Sequence, residues 1–136
     1  MTYHVRVREF HAKFGLPHDA NGSPPRLLDA STWEFRYRFL HEELRELAEA
    51  HNAGDLAGFA DALVDLIYVA SGTAHLAGLR LDDHFDEVHR ANLTKERATG
   101  ADDGRSKRGH ALDVVKPPGW RAPDHAPILR RAGWEG

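Results

Sequence analysis

Residues 56–77 read LAGFADALVDLIYVASGTAHLA and are the most apolar segment of the 136-residue chain. Apolar side chains occupy nearly all sides of a helix with this sequence, a pattern typical of a central, buried helix. Asp55 is placed to cap its first turn, and Gly78 is placed to end it. Small residues around Gly72 would allow a neighbouring helix to approach closely. The sequence therefore predicts a helical core around this segment.

Two further helices are predicted before it. Residues 2–14 read as a helix capped by Thr2, and a loop rich in Gly and Pro follows through residue 30. The capping box Ser31-Thr32-Trp33-Glu34 predicts the start of a long helix that continues to about residue 51. Its apolar stripe is formed by Trp33, Leu40, Leu44, Leu47 and His51, with Arg36 and Glu43 on the flank. We expect this face to point into the helical core, and Glu43 on its flank to point toward the core and not directly into solvent.

A fourth helix is predicted to begin at Asp82 or Asp83 and to end near Lys95. The connections between the last three helices are short, which favours antiparallel neighbours. Residues 97–122 lack periodicity and show no convincing strand, and a short last helix, limited by Pro127, is predicted to run from residue 122 to residue 131. We therefore expect an all-α protein with an antiparallel four-helix-bundle-type core in residues 1–96. Residues 97–136 are expected to form an irregular, basic C-terminal segment of the same domain.

Composition narrows the classes of protein that the chain can represent. It contains no cysteine, which excludes disulfides, Cys-ligated metals and thiol catalysis. Its longest stretch without a charged residue, Leu66–Leu79, is too short to span a bilayer, and the N-terminus has no apolar run typical of a secretory signal. We therefore expect a cytoplasmic protein that does not enter a membrane.

Charge is distributed unevenly along the chain. Residues 1–88 carry 8 Lys and Arg against 15 Asp and Glu, a balance of −7, whereas residues 89–136 carry 10 against 6, a balance of +4. This distribution suits neither a membrane surface nor a DNA groove, and no nucleic-acid partner is expected. It would suit a cation held by the acidic part and an anion held partly by the basic part. Chance asymmetry is the alternative.

Two acidic clusters lie on the second and third predicted helices. Glu42, Glu43 and Glu46 occupy neighbouring positions of one helix surface, because residues three or four apart are neighbours. Asp61 and Asp65 are also four apart, and Asp65 is embedded among apolar residues, where a carboxylate is costly unless it is paired or binds a metal. Such carboxylate-rich ligation suits Mg²⁺ or Mn²⁺, and Mg²⁺ typically shares a substrate's phosphates.

Each cluster also has a purely structural interpretation. The glutamates are consistent with a solvated acidic face, and an ion pair with Arg36, Arg45 or Arg90 would compensate Asp65.

Basic and amide side chains near the end of the fourth helix form a third candidate. Arg90, Asn92 and Lys95 present donors that suit phosphate or nucleotide contact, although the two cations could simply complement the helix C-terminus. Lys116 belongs to a basic stretch that could close over an anion or form part of a solvated tail.

Taken in order, these segments resemble the MazG-like all-α nucleotide pyrophosphohydrolases, in particular their phage and bacterial branch. This superfamily also includes dimeric dUTPases and phosphoribosyl-ATP pyrophosphohydrolases. The resemblance rests on Glu-Glu-x-x-Glu at residues 42–46, the acidic pair at residues 61 and 65 followed by Tyr68-Val69, EVHRANLTK at residues 87–95, and KPPGW at residues 116–120. It covers nearly the whole chain.

The resemblance implies an activity and the residues that carry it. The activity is Mg²⁺-dependent cleavage of a nucleoside triphosphate between its α and β phosphates, which gives a monophosphate and pyrophosphate. The implied metal ligands are Glu43, Glu46 and Asp65, Glu42 would orient or deprotonate the attacking water, and Arg90, Asn92, Lys95 and Lys116 would contact sugar and phosphates. The chain has Ala62 where the family often has a metal-binding Glu, and Asp61 is the expected substitute. The resemblance also implies a homodimer or homotetramer whose subunits complete the helical core.

Two other functions are compatible with parts of the pattern. A di-iron bundle needs Glu-x-x-His on two helices, and only Asp86-x-x-His89 is present. A non-catalytic nucleotide-binding or regulatory helical module is the stronger alternative, because Ala62 departs from the family pattern.

Overall fold

The computed structural model describes residues 2–16 and 23–136 and confirms the all-α class. Part of the predicted loop, residues 17–22, lies outside the described residues. The helices are α1 (Tyr3–Lys13), α2 (Ala30–Asn52), α3 (Leu56–Leu76), α4 (Leu81–Leu93) and α5 (Ala126–Arg131). Strands β1 (Glu96–Arg97) and β2 (Val114–Val115) pair antiparallel within a segment for which no strand was predicted.

The chain divides into two compact units. The first comprises Met1–Leu81 together with Leu129–Gly136, and the second comprises Asp82–Ile128. The first unit contains α1, α2 and α3, and α3 contacts both of the others. The second contains nearly all of α4 and the two strands.

Helices α2 and α3 are antiparallel, as their short connection predicts. The ring of His51, near the end of α2, lies 6.0 Å from that of Phe59, near the start of α3. At the opposite end, Arg36 Nη2 donates a hydrogen bond of 2.7 Å to the Val69 carbonyl oxygen. Early residues of one helix therefore lie beside late residues of the other.

Arg36 is buried between these helices without a carboxylate partner in the described part of the chain. Besides the bond to Val69, its Nε donates a hydrogen bond of 3.0 Å to Thr73 Oγ1. Burial lowers the pKa of Arg36, because removal from water disfavours the charged form. These two polar contacts fix how α2 packs against α3.

Gly72 allows this close approach. A Cβ atom at this position would lie 2.8 Å from Arg36 Nη2 and 3.1 Å from His11 Nε2. We expect Gly72→Val to destabilise the protein by about 2 kcal/mol, because overpacking would displace the buried guanidinium. Urea unfolding would measure the change, with Gly104→Ala as control, since a Cβ there meets nothing within 4 Å. Equal stability of Gly72→Val and wild type would contradict this account.

The helix N-termini confirm two predicted caps. Thr2 caps α1 and accepts a hydrogen bond from the Val5 backbone N–H. Asp55 caps α3, and its Oδ1 accepts a 2.9 Å hydrogen bond from the Gly58 N–H. Both caps follow from local sequence alone.

The predicted capping box of α2 is wrong. The helix begins at Ala30 and is capped by Asp29, whose carboxylate accepts hydrogen bonds from both the backbone N–H and the hydroxyl of Thr32. Glu34 is committed to an ion pair with Arg38, 2.6 Å away, and does not reach back to the cap. Ser31 therefore lies inside the first turn.

The starts of α4 and α5 also differ from the predictions. Helix α4 begins at Leu81, so Asp82 and Asp83 lie in its first turn, where carboxylates are favoured by the helix dipole. Helix α5 begins only at Ala126, and Pro127 lies in its first turn, where the missing N–H costs nothing.

Helix α3 was predicted to be buried on nearly all sides, and this prediction is wrong for the isolated chain. Val64 is 58% exposed and Ile67 is 45% exposed. On α2 the apolar stripe is likewise half exposed, with Leu44 at 53%, whereas the buried residues of that helix are Arg36 and Glu43. The first unit therefore presents apolar side chains on its surface.

Helix α3 is also the single helix among the described residues that is long and apolar enough to cross a membrane by length and composition. Buried core helices of soluble proteins meet the same criterion.

Candidate active site

Glu43 is the acidic side chain of α2 that the structure buries. It is 7% exposed, and its Oε2 atom is buried without a hydrogen-bond partner in the part of the chain that the structure describes. Burial raises the pKa of Glu43 above that of an ordinary glutamate. Nearby negative charges raise it further, in decreasing order those of Asp65, Glu46, Glu42 and Asp61. The two predicted acidic clusters therefore act on one buried carboxylate.

Asp65 is half-buried, less enclosed than its apolar neighbours in the sequence predict. The three arginines considered as ion-pair partners of Asp65 have other partners in the structure. Arg36 is bound to Val69 and Thr73, and Arg45 pairs with Glu49 at 3.7 Å. Arg90, the third candidate, pairs with Glu87 at 2.8 Å. The two candidates within the first unit, Arg36 and Arg45, are therefore engaged by other partners.

The remaining acidic residues are more open. Glu42, Glu46 and Asp61 are exposed, whereas Ala62 is buried. No group of three acidic or histidine side chains in residues 2–16 and 23–136 is close enough to hold a metal ion as it stands. The acidic residues thus share an electrostatic environment around Glu43 without forming a closed cage. Mg²⁺ keeps waters and is typically held in proteins by one or two carboxylates together with substrate phosphates, so a preformed group of three ligands is not a requirement for it.

In the second unit, Arg90 is engaged within its own helix. Its Nε and Nη2 atoms donate hydrogen bonds of 2.9 and 2.8 Å to the two carboxylate oxygens of Glu87. Glu87 also accepts a hydrogen bond of 2.8 Å from the backbone N–H of Asp124. Arg90 therefore helps to hold the segment around Asp124 to α4. Asn92, near the end of that helix, is exposed.

Lys95 and Lys116 converge on a residue that the sequence did not connect with them. Their ammonium groups lie 5.4 and 4.6 Å from the centroid of the Trp120 ring. The Trp120 Nε1–H donates a 2.9 Å hydrogen bond to the Ala91 carbonyl oxygen, near the end of α4. The motif at residues 116–120 placed Trp120 near Lys116 in the chain, but no periodic signal linked either residue to Lys95.

The Glu87 contacts predict a defined pH dependence of stability. The Arg90 hydrogen bonds chiefly, and then the Asp124 N–H, lower the pKa of Glu87 from 4.5 to about 2. Because the folded-state pKa is the lower one, this stabilisation is present above pH 4.5 and is lost as pH falls through about 2. We expect Glu87→Gln to flatten this part of the pH–stability profile measured by urea unfolding. A profile as steep as that of the control variant Glu49→Gln would contradict the expectation.

Comparison with known proteins gives a family. A family model described as phosphoribosyl-ATP pyrophosphohydrolase matches residues 7–92, which include both acidic clusters and most of α4. No curated protein matches the chain closely enough to count as a relative. Members of the matched family are hydrolases that act on acid anhydrides and typically depend on a divalent metal. The chain belongs to the phosphoribosyl-ATP pyrophosphohydrolase family, within the MazG-like superfamily of nucleotide pyrophosphohydrolases.

Proposed function

We propose that this protein is a Mg²⁺-dependent nucleoside triphosphate pyrophosphohydrolase. It cleaves a ribo- or deoxyribonucleoside triphosphate between the α and β phosphates and releases a monophosphate and pyrophosphate. The observation that carries the proposal is the Oε2 atom of Glu43, which is buried without a hydrogen-bond partner among the described residues, while the charges of four further acidic residues raise the pKa of this carboxyl group. A carboxylate in this position is unfavourable in the apoprotein and becomes favourable when a cation binds beside it.

Glu43, Glu46 and Asp65 are the proposed ligands for Mg²⁺, for which Mn²⁺ could substitute. Asp61 is the proposed replacement for the acidic side chain that Ala62 lacks, and its charge acts on Glu43 from an exposed position. When bound, the metal supplies positive charge that offsets the carboxylates and polarises the phosphate under attack. The open arrangement leaves room for phosphate oxygens and water to complete the coordination.

Glu42 is the proposed catalytic residue. It is exposed and adjacent in sequence to the buried Glu43, so water can reach its carboxylate directly from solvent. From there Glu42 orients the attacking water and accepts its proton as the bond to phosphorus forms. Asn92, Lys95 and Lys116 are the proposed contacts to sugar and phosphates. Arg90 is a weaker candidate, because Glu87 already engages its guanidinium group.

Phosphoribosyl-ATP is the second candidate substrate, because the matching family model carries that description. Hydrolysis of this compound also releases pyrophosphate, so the same acidic residues would serve. The two proposals differ in the group that must be recognised beside the triphosphate.

A substrate panel separates these possibilities. Purified protein would be incubated with Mg²⁺ and each ribo- and deoxyribonucleoside triphosphate, and with phosphoribosyl-ATP, while pyrophosphate release is followed by a coupled pyrophosphatase assay. Turnover of one or more triphosphates supports the proposal, and turnover of phosphoribosyl-ATP alone supports the second candidate. Binding of nucleotides without turnover of any of them would favour the non-catalytic module.

We further propose a homodimer or homotetramer in the cytoplasm. The support is the exposed apolar surface of the first unit, which includes Leu44 on α2 and Val64 and Ile67 on α3. Apolar side chains exposed together on neighbouring helices commonly mark a protein interface. Light scattering during gel filtration would measure the oligomeric state, and a monomer at micromolar concentration would contradict this part of the proposal.

A further inference from the structure

Two histidine side chains of the second unit meet at their ring nitrogens. The Nδ1 atom of His84, on α4, lies 2.9 Å from the Nδ1 atom of His125, which directly precedes α5. The ring centroids are 5.0 Å apart and the ring planes are inclined by 46°, so the rings do not stack face to face. The two residues are 41 positions apart in the chain, and no spacing in the sequence linked them.

The backbone around His125 is held to α4 by a contact other than the histidine pair. Glu87 lies one turn after His84 on α4, and its Oε1 atom accepts a 2.8 Å hydrogen bond from the N–H of Asp124, next to His125. Both histidines are half-buried, so small solutes in the solvent have access to them. The two rings are therefore brought together by a supported segment of chain and still face solvent in part.

The protonation state of His84 suits a metal ligand. Burial lowers the pKa of His84 and the charge of His125 lowers it further, while Asp83 acts in the opposite direction. A hydrogen bond between two imidazoles also needs one Nδ1 atom without a proton, because one nitrogen must donate and the other must accept. The contact therefore places at least one Nδ1 lone pair between the rings.

The separation of the two nitrogens fits a cation bound by both. Metal–imidazole bonds are about 2.0–2.1 Å long, so an ion at this distance from both Nδ1 atoms would bind them about 90° apart. That angle separates neighbouring ligands of a square-planar or tetragonal ion and is narrower than the tetrahedral angle of structural Zn²⁺ sites. Among the ions that imidazole suits, this geometry favours Ni²⁺ and Cu²⁺.

We propose that His84 and His125 form a binding site for a divalent transition-metal ion, Ni²⁺ or Cu²⁺, through their Nδ1 atoms. Imidazole nitrogen suits these ions, whereas Mg²⁺ prefers oxygen ligands. The site shares no residue with the carboxylates proposed to bind Mg²⁺, and it does not rest on the proposed function.

Water or a small external ligand would complete the coordination of this ion. Both carboxylate oxygens of Glu87 already accept hydrogen bonds, from Arg90 and from the Asp124 N–H. No group of three acidic or histidine side chains is close enough to hold a metal ion in the part of the chain that the structure describes. The site therefore has two protein ligands and open positions, and the ion would tie the segment before α5 to α4.

Calorimetric titration of the tag-free full chain with Ni²⁺, in a weakly coordinating buffer with excess Mg²⁺, tests the site. Excess Mg²⁺ occupies oxygen ligands and leaves imidazoles available. We expect His84→Gln and His125→Gln each to weaken Ni²⁺ binding about tenfold or more, because even loss of a group that only orients a metal ligand costs this much. His89→Gln is the matched control: it removes an exposed histidine from the same helix and should leave the dissociation constant nearly unchanged. Equal affinity of wild type, His84→Gln and His125→Gln would overturn the proposal.

Nuclear magnetic resonance of the chain labelled with ¹⁵N-histidine locates the ion without any substitution. The ring signals of His84 and His125 should shift or broaden at lower Ni²⁺ concentrations than those of His89. Because this measurement uses the wild-type chain, it decides the question even where a variant fails to fold. A response of His84 and His125 no earlier than that of His89 would show that the two rings share a hydrogen bond only, and the metal site would then be rejected.

Discussion

Glu43→Gln is expected to abolish pyrophosphate release while raising the thermal stability of the metal-free protein at neutral pH. The wild-type side chain is 7% exposed, its Oε2 atom has no hydrogen-bond partner within residues 2–16 and 23–136, and the charges of four acidic residues raise its pKa. A neutral amide of nearly the same shape removes this buried charge. The same change removes the strongest electrostatic reason for a cation to bind, so activity and metal-free stability should move in opposite directions.

The direction of the pKa shift of Glu43 determines how the stability difference between the variant and wild type depends on pH. The pKa of Glu43 is raised in the folded protein relative to 4.5. A carboxyl group of this kind contributes stability that is present below its unfolded-state pKa and is lost as pH rises through the folded-state pKa. In a chelating buffer at neutral pH, Glu43→Gln should therefore unfold about 3 °C or more above wild type, and the difference should shrink as pH falls towards 4.5.

Glu49→Gln is the matched control. It also lies on α2, is exposed and pairs with Arg45, so it should keep wild-type turnover and a nearly unchanged melting temperature. Wild-type turnover of Glu43→Gln would remove Glu43 from the metal site. A lower melting temperature of Glu43→Gln in chelator would show that a favourable contact compensates the carboxylate in the apoprotein.

Local signals in the sequence predicted the helices better than the faces that they bury. Thr2 and Asp55 were recognised as caps because a cap depends on a few adjacent residues. Asp29 and Ser31 are both suitable cap types and lie two positions apart, and the pattern favoured the wrong one. Only the hydrogen bonds from Thr32 to Asp29 distinguish them.

Hydrophobic periodicity predicted the buried face of α2 only in part. The expectation that Glu43, beside the apolar stripe, points toward the core is confirmed, whereas Leu44 of the stripe is exposed and Arg36 is the other buried residue of this helix. Arg36 faces inward because Val69 and Thr73 on α3 accept its hydrogen bonds, and such partners are invisible to a one-helix pattern. An exposed apolar stripe on a single chain is expected where another subunit covers it.

The candidate site likewise has features that local sequence predicts and features that depend on contacts between distant segments. Spacing along each helix grouped the acidic residues, since neighbours three or four apart share a surface. The orphaned oxygen of Glu43 and the meeting of Lys95 with Lys116 at Trp120 depend on packing between distant segments, which one sequence does not display. The family match supplies the reaction class, and the residue roles stay predictions that mutagenesis can test.

Asp65→Asn is expected to lower turnover by about 100-fold or more, whereas Asp61→Asn should cost markedly less. Asp65 is half-buried and exerts the largest effect of any charged neighbour on the pKa of Glu43. Asp61 is exposed and exerts the smallest of the four effects on that pKa. Both variants remove one negative charge from α3. Comparing their turnover therefore tests whether Asp61 replaces the acidic side chain that is missing at Ala62.

Steady-state kinetics across a range of Mg²⁺ concentrations would separate the two roles. Loss of a direct ligand should raise the Mg²⁺ concentration needed for half-maximal rate and also lower the rate at saturating Mg²⁺. Loss of a peripheral charge should be largely overcome by high Mg²⁺. Equal losses in the two variants would place both carboxylates at the metal and make Asp61 a full substitute. Loss of melting temperature by Asp65→Asn in chelator would instead favour a structural contact for Asp65, because removing an uncompensated carboxylate should leave the apoprotein as stable or more so.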